Sequence, residues 1–189
     1  MPGGDLATRF PERMLYGILP EDRILDILRH RGWTDIQAGV LARQVERGVN
    51  VAWTSSTGRV LDAVSALLGI CRERTYDGEP AMRLEAAASG GTPSPWPLEF
   101  LQKPGFEVLS TRALVRIALD GYREAQGSGR SGEQKAVSDI AASFQYNLAR
   151  GIAHLAIHAA RDRGLDRVAL SGGVAYHAAI REALGRAVE

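Results

Sequence analysis

TSSTGRVLDAVSALLG, residues 54–69, carries the clearest helical signal in the chain. A Ser/Thr cluster opens it, as helix starts prefer. Val60, Leu61, Val64, Leu67 and Leu68 then recur at helical spacing, and Gly69 stops the run. Similar signals lie on both sides. Upstream, Pro20 suits a first turn, Ile24, Leu25, Ile27 and Leu28 follow, and Gly32 ends the segment. Thr34 reads as the N-cap of the next helix, with Ile36, Val40, Leu41 and Val45 as its apolar stripe and Gly48 as its stop. The first twenty residues read as an irregular entry. Downstream, a short helix is expected over 81–88.

Residues 89–97, SGGTPSPWP, have the composition of a loop. PLEFLQKPGFEVLS, residues 97–110, predicts two short strands about a Lys103–Pro104–Gly105 turn. Ser110 then caps a helix carrying Leu114, Ile117, Ala118 and Leu119. The Gly/Ser-rich segment 125–134 is expected to be a mobile connection. A long helix should run from about 137 to 163, stopped by Gly164. In RVALSGGVAYHAAIREAL, residues 167–184, Val168–Leu170 reads as a short buried strand, 171–173 as a tight turn and 174 onward as a helix. The fold class is therefore mainly α with a minor β component.

Composition bounds the function. The 189 residues are 45% hydrophobic and 24% charged, ordinary for a soluble globular chain. Lys+Arg 23 against Asp+Glu 22 leaves a net charge of +1, so no basic field invites nucleic acid. No apolar run approaches the roughly 18 residues of a membrane span. One cysteine, Cys71, excludes an intramolecular disulfide framework, and a reducing cytoplasm is the expected setting. Buried thiols of this kind are inert. Trp33, Trp53 and Trp96 read as packing anchors. The oddity is glycine: 21 residues that need a backbone reason.

Three motifs could carry chemistry. In SGGV, residues 171–174, adjacent glycines let backbone approach an anion at a helix start, although a plain β–α turn uses the same residues. The segment 54–62 gathers hydroxyls, Gly58, Arg59 and Asp62 around a helix start. It suits a ligand's oxygens or ordinary capping. His154 and His158 form H-x-x-x-H, which puts two imidazoles on one helix face. No Glu follows the first His and no third ligand is evident, so a pair of half-exposed histidines is the simpler reading.

The blocks PGGDLA, WTSSTGRVLDAVSALLG, TYDGEPAMRLEAAA and VALSGGVAYHAAI occur in this order, and together they resemble the C-terminal part of the HypF carbamoyltransferases. The SGGV turn is shared more widely, with threonylcarbamoyl-adenosine synthases of the TsaD type and other actin/hexokinase/Hsp70-like (ASKHA) ATPases. The resemblance covers nearly the whole chain. It implies one partial TsaD-like domain over residues 1–189: a helical segment plus part of the second lobe of that ATPase-type fold. It implies a nucleotide site that receives carbamoyl adenylate, made from carbamoyl phosphate and ATP, with a metal ion beside it. The carbamoyl group passes to the C-terminal cysteine of a HypE partner in nickel–iron hydrogenase maturation.

Residue by residue, the resemblance puts Asp62 at the ribose and the Gly78 backbone nearby. Gly172 and Gly173 would lie against adenosine or phosphate, and Ser55, Ser56, Gly58 and Arg59 near the carbamoyl end. His177 stands where the family usually has Asn. The family's metal ligands fall outside these residues, and His154 and His158 do not align with them. The isolated chain is therefore expected to be inactive, and its apolar faces to favour self-association or docking to HypE or to the remainder of a split HypF.

Overall fold

The computed structural model describes residues 1–127, 129–173 and 178–188. The chain forms two compact units, Met1–Leu84 and Glu85–Glu189.

The first unit is helical. It contains α1 (Asp5–Arg9), α2 (Glu12–Ile18), α3 (Asp22–His30), α4 (Asp35–Arg47) and α5 (Thr57–Leu67), and α6 (Glu79–Ala88) begins in it. The expected irregular entry is thus two short helices. Each is too short to show a periodic stripe, yet α2 buries Met14, Leu15 and Tyr16 and packs against α5. Thr34 caps α4 as expected. Its Oγ1 accepts from the Gln37 N–H at 3.2 Å, and Gln37 Oε1 accepts from the Thr34 N–H at 2.8 Å, a reciprocal capping box. The apolar stripe assigned to α4 needs correction. Leu41 is buried, but Ile36 and Val40 are exposed, 77% and 43%. Trp53 is 97% exposed and anchors nothing. It lies in an irregular stretch just after Val51, which makes an isolated bridge to Pro2.

Glu12 ties this unit together. It is 3% exposed, and its carboxylate accepts from Trp33 Nε1 at 2.7 Å and Arg72 Nε at 2.8 Å, with Arg31 Nη1 at 3.5 Å. Arg31 Nη2 also donates to the Leu67 carbonyl at 2.7 Å, one of the carbonyls that the end of α5 leaves without a helical partner. Arg72 Nη2 donates to the Arg31 carbonyl at 2.6 Å. One carboxylate so joins α2, the end of α3 and the end of α5.

The second unit holds the hairpin β1 (Phe100–Lys103) and β2 (Phe106–Leu109), then α7 (Thr111–Ala125), α8 (Arg130–Arg161) and α9 (Ala178–Val188). The strands pair antiparallel, Lys103 opposite Phe106, about the expected turn. Ser110 Oγ caps α7 by accepting from the Ala113 N–H at 3.3 Å. Helix α8 starts at Arg130, so it takes in half of the segment read as a connection. Val168–Leu170 is not a strand. Val168 and Leu170 are 45% and 44% exposed, and no strand pairs with them among the described residues. An isolated extended segment has no ladder to satisfy its backbone.

The loop 91–97 is irregular but held. Thr92 N–H donates to Asp139 Oδ1 at 2.7 Å and Ser94 N–H to Ser143 Oγ at 3.0 Å. Trp96 N–H donates to Asn147 Oδ1 at 2.9 Å, and Asn147 Nδ2 returns to the Ser94 carbonyl at 2.8 Å. Asp139, Ser143 and Asn147 are spaced by four, one polar stripe of α8 acting as a ladder for the loop. None of the helices described is long and apolar enough to cross a membrane.

Removing one member of a buried charge network strands the rest, at a cost of about 3–5 kcal/mol. We expect Glu12→Ala to lose stability on that scale in urea unfolding. A loss below about 1 kcal/mol, the range of an exposed ion pair, would refute the clamp.

Candidate functional site

The N-terminal residues set the approach to α5. The Met1 ammonium donates to the Ala52 carbonyl at 2.8 Å and Gly3 N–H to the Asn50 carbonyl at 2.7 Å. Arg13 Nε holds the Pro2 carbonyl at 2.9 Å. The chain then enters α5 through exposed Ser55 and Ser56. Ser56 is the N-cap residue, yet its side chain makes no capping hydrogen bond. The Arg59 N–H donates to the Ser56 carbonyl at 3.1 Å, which leaves the Thr57 and Gly58 N–H groups of this eleven-residue helix to face an anion. Gly58 lies in the first turn, with only Ser56 Oγ near the place a Cβ would take.

Arg59 and Asp62 follow one turn apart. Asp62 is fully buried, and neither carboxylate oxygen has a directed hydrogen bond. Arg59 Nη1 lies 3.1 Å from Oδ2, an ion pair whose angle falls short of a hydrogen bond. Burial pushes the Asp62 carboxyl above its ordinary range. The charges of Arg59 and Arg74 oppose that shift, Asp77 adds to it, and the Ala81 N–H opposes it.

The block TYDGE closes over the same place. Glu79 accepts from the Thr75 N–H at 2.6 Å and the Thr75 hydroxyl at 2.8 Å, and pairs with Arg83 at 2.7 Å. The Thr75 hydrogen bonds hold its carboxyl below the usual range. The turn passes through Gly78 at φ +79°, a conformation a side chain would strain. Asp77 stands exposed beside it, 3.0 Å from Arg74 and 3.8 Å from Arg59.

The structure thus brings Arg59, Asp62 and the Gly78 turn together within the first unit. It adds Arg74 and Asp77, which the sequence reading did not single out. The charge density of RERTYD, residues 72–77, was the available signal. Cationic partners face each carboxylate of the cluster, so it lacks the character of a metal site. Cys71 is buried, its Sγ 3.3 Å from the Glu73 carbonyl, and burial raises its thiol, with the charge of Glu79 adding to the shift. Its burial is as expected. Gly172 and Gly173 lie in the second unit and are exposed. His177 lies outside the described residues.

The whole chain, residues 1–189, matches the family described as carbamoyltransferase, Kae1-like domain, second subdomain. The chain belongs to the HypF carbamoyltransferase family. The probable carbamoyltransferase HypF of Methanocaldococcus jannaschii is 34% identical over 184 residues, 95% of this chain and 22% of that protein. The crystal structure of T. kodakarensis HypF superposes with a TM-score of 0.78 at 35% identity, covering 100% of this chain and 24% of that one. A full-length HypF in its phosphate- and nucleotide-bound form gives a TM-score of 0.82 at 25% identity, covering 100% of this chain and 28% of that one. A tRNA N6-adenosine threonylcarbamoyltransferase of Syntrophotalea carbinolica is 30% identical over 130 residues, 69% of this chain and 36% of that protein. The chain spans about a quarter of the length of these HypF relatives. Its mainly helical fold with a small sheet is that of part of a Kae1-like, ASKHA-type domain.

The raised Asp62 carboxyl has a pH consequence. The folded state holds this proton more tightly than the unfolded chain does. Its stabilising contribution is therefore present below the unfolded carboxyl pKa of about 3.9 and is lost as pH rises through the folded value. Relative to Asp62→Asn, the native chain should be more stable near pH 4 than near pH 7 in urea unfolding at both. A difference of the opposite sign would show that the pair with Arg59 outweighs burial.

Proposed function

We propose that the first unit supplies the ribose-binding part of a site for carbamoyl adenylate, from which the carbamoyl group passes to the C-terminal cysteine of a HypE-like partner in nickel–iron hydrogenase maturation. One observation carries this reading: the buried Asp62 carboxylate, faced by Arg59 and the Ala81 N–H but with no hydrogen bond of good geometry. Buried polar atoms are nearly always satisfied, and an exception needs an explanation. A carboxylate is acceptor-only, and vicinal ribose hydroxyls are donors that fit it. Membership in the HypF family supports the assignment.

The other residues of the chain have coherent roles in this reading. Arg59 opposes the burial that disfavours the Asp62 carboxylate and holds it in register through one helical turn. Ser55, Ser56 and Gly58 present hydroxyls and uncapped N–H groups that suit an anionic or carbamoyl oxygen. The Gly78 turn lets backbone, rather than a side chain, approach the ligand. When bound, the adenylate supplies an activated carbamoyl carbon with AMP as leaving group. This chain's own residues bind and orient it. The fit does not extend to the family's metal, because no residue of this cluster is suited to ligate it. The Gly172–Gly173 turn and His177 are assigned to the adenosine or phosphate on the resemblance alone. Leu6, Ile36 and Val40 rim a cavity of about 630 Å³ that charged residues such as Arg13, Arg72 and Glu73 also line, and these exposed apolar side chains support a partner-docking role.

Asp62→Asn tests the assignment because a binding role and a structural role give opposite results. The substitution removes a buried charge without hydrogen bonds and keeps the volume. We expect the melting temperature to hold or rise while AMP affinity falls at least about tenfold, a loss of about 1.4 kcal/mol. Unchanged affinity, or a melting temperature that drops together with affinity, would contradict it.

A further inference from the structure

In the second unit, Glu107 on β2 meets His154 and His158 on α8. One donor atom from each lies within 4.8 Å of the others. We propose that these three side chains bind a divalent transition-metal ion, with zinc as the representative case. Imidazole and carboxylate donors suit this class of ion.

The backbone builds the meeting. Gly151 sits one turn before His154 on α8, and a Cβ there would come within 2.4 Å of the Leu109 side chain. The missing side chain lets β2 lie close against α8 and carries Glu107 to the histidine face. His154 and His158, four residues apart, project from that face with ring centroids 4.0 Å apart. Phe100 stacks on His154 at 4.3 Å and 29°, which fixes the plane of its ring. Gln102 Nε2 donates to Glu107 Oε1, which leaves Oε2 turned to His154. An outer hydrogen bond of this kind orients a metal-binding carboxylate.

The His154–Glu107 distance is near that of two ligands on a tetrahedral ion. With metal–ligand bonds of about 2.0–2.1 Å, two ligands of a tetrahedron stand about 3.3 Å apart. His154 Nε2 and Glu107 Oε2 are 3.6 Å apart. With neutral imidazoles the set carries one negative charge, which a divalent cation offsets. Glu107 and His158 also line a cavity of about 540 Å³, with Lys103, Asp162 and Arg163 on its wall. It has room for water as a fourth ligand. The H-x-x-x-H pair looks incomplete in sequence because its third member stands on a distant hairpin.

The test uses the chain without a polyhistidine tag. Zn²⁺ is titrated calorimetrically, and Co²⁺ by the visible absorption of a four- or five-coordinate site. We expect one equivalent to bind, with Zn²⁺ displacing Co²⁺. Losing an outer-shell partner alone costs about 10–100-fold, so His158→Ala and Glu107→Gln should each weaken binding at least about 100-fold. Gln102→Ala should fall within the outer-shell range. His158 is exposed, and circular dichroism should show His158→Ala folded like the native chain. Failure of the native chain to bind stoichiometrically at millimolar metal would overturn the site. So would undiminished binding in either His158→Ala or Glu107→Gln.

Discussion

The Glu12 carboxylate is buried with an indole N–H and two guanidinium groups around it. Few arrangements could hold a charge in the interior of a unit this small. Desolvation is costly, and only several well-placed donors offset it. The arrangement fixes where α2, α3 and α5 meet. Arg31 reaches from Glu12 to the carbonyl end of α5 and suits the negative end of that helix. With its C-terminal end held, α5 presents its uncapped N-terminal end and the first turn with Arg59 and Asp62 in a fixed direction.

The same constraint governs the second unit. Asn147 is fully buried and uses both ends of its amide, on Trp96, Arg150, Ser94 and Ser143. The loop 91–97 owes its shape to this helix side chain and its neighbours one turn apart. Against that background Asp62 and, on the same helix, the Ser65 hydroxyl are exceptions among the described residues. Asp62 is as buried as Asn147 but lacks directed donors. A buried carboxylate without close directed donors is costlier than a hydroxyl so placed, and the proposed ligand's hydroxyls would satisfy it.

How much could be read in advance follows from the physics of each signal. Helix α4 was legible from its Thr34 cap and Gly48 stop, α5 from its apolar spacing and α7 from both cap and spacing, because these signals are local. The hairpin was legible from its Pro-Gly turn. Helices α1 and α2 were not, because two short helices owe their stability to packing rather than to a periodic stripe. The strand expected at Val168–Leu170 failed because strands need partners, and no local pattern supplies one. At the site, Asp62 and Gly78 were placed by resemblance. Arg74 and Asp77 emerged only when the turn folded back onto α5. Glu107 was invisible beside His154 because the contact crosses between a hairpin and a helix.

The proposed role of Asp62 is to read ribose hydroxyls. An NMR titration, which reaches millimolar affinity, can compare AMP with its 2′,3′-dideoxy analogue on the native chain and on Asp62→Asn. The native chain is expected to favour AMP by at least about tenfold, the worth of about 1.4 kcal/mol, and Asp62→Asn to lose the preference. Equal binding of the two ligands by the native chain would contradict it.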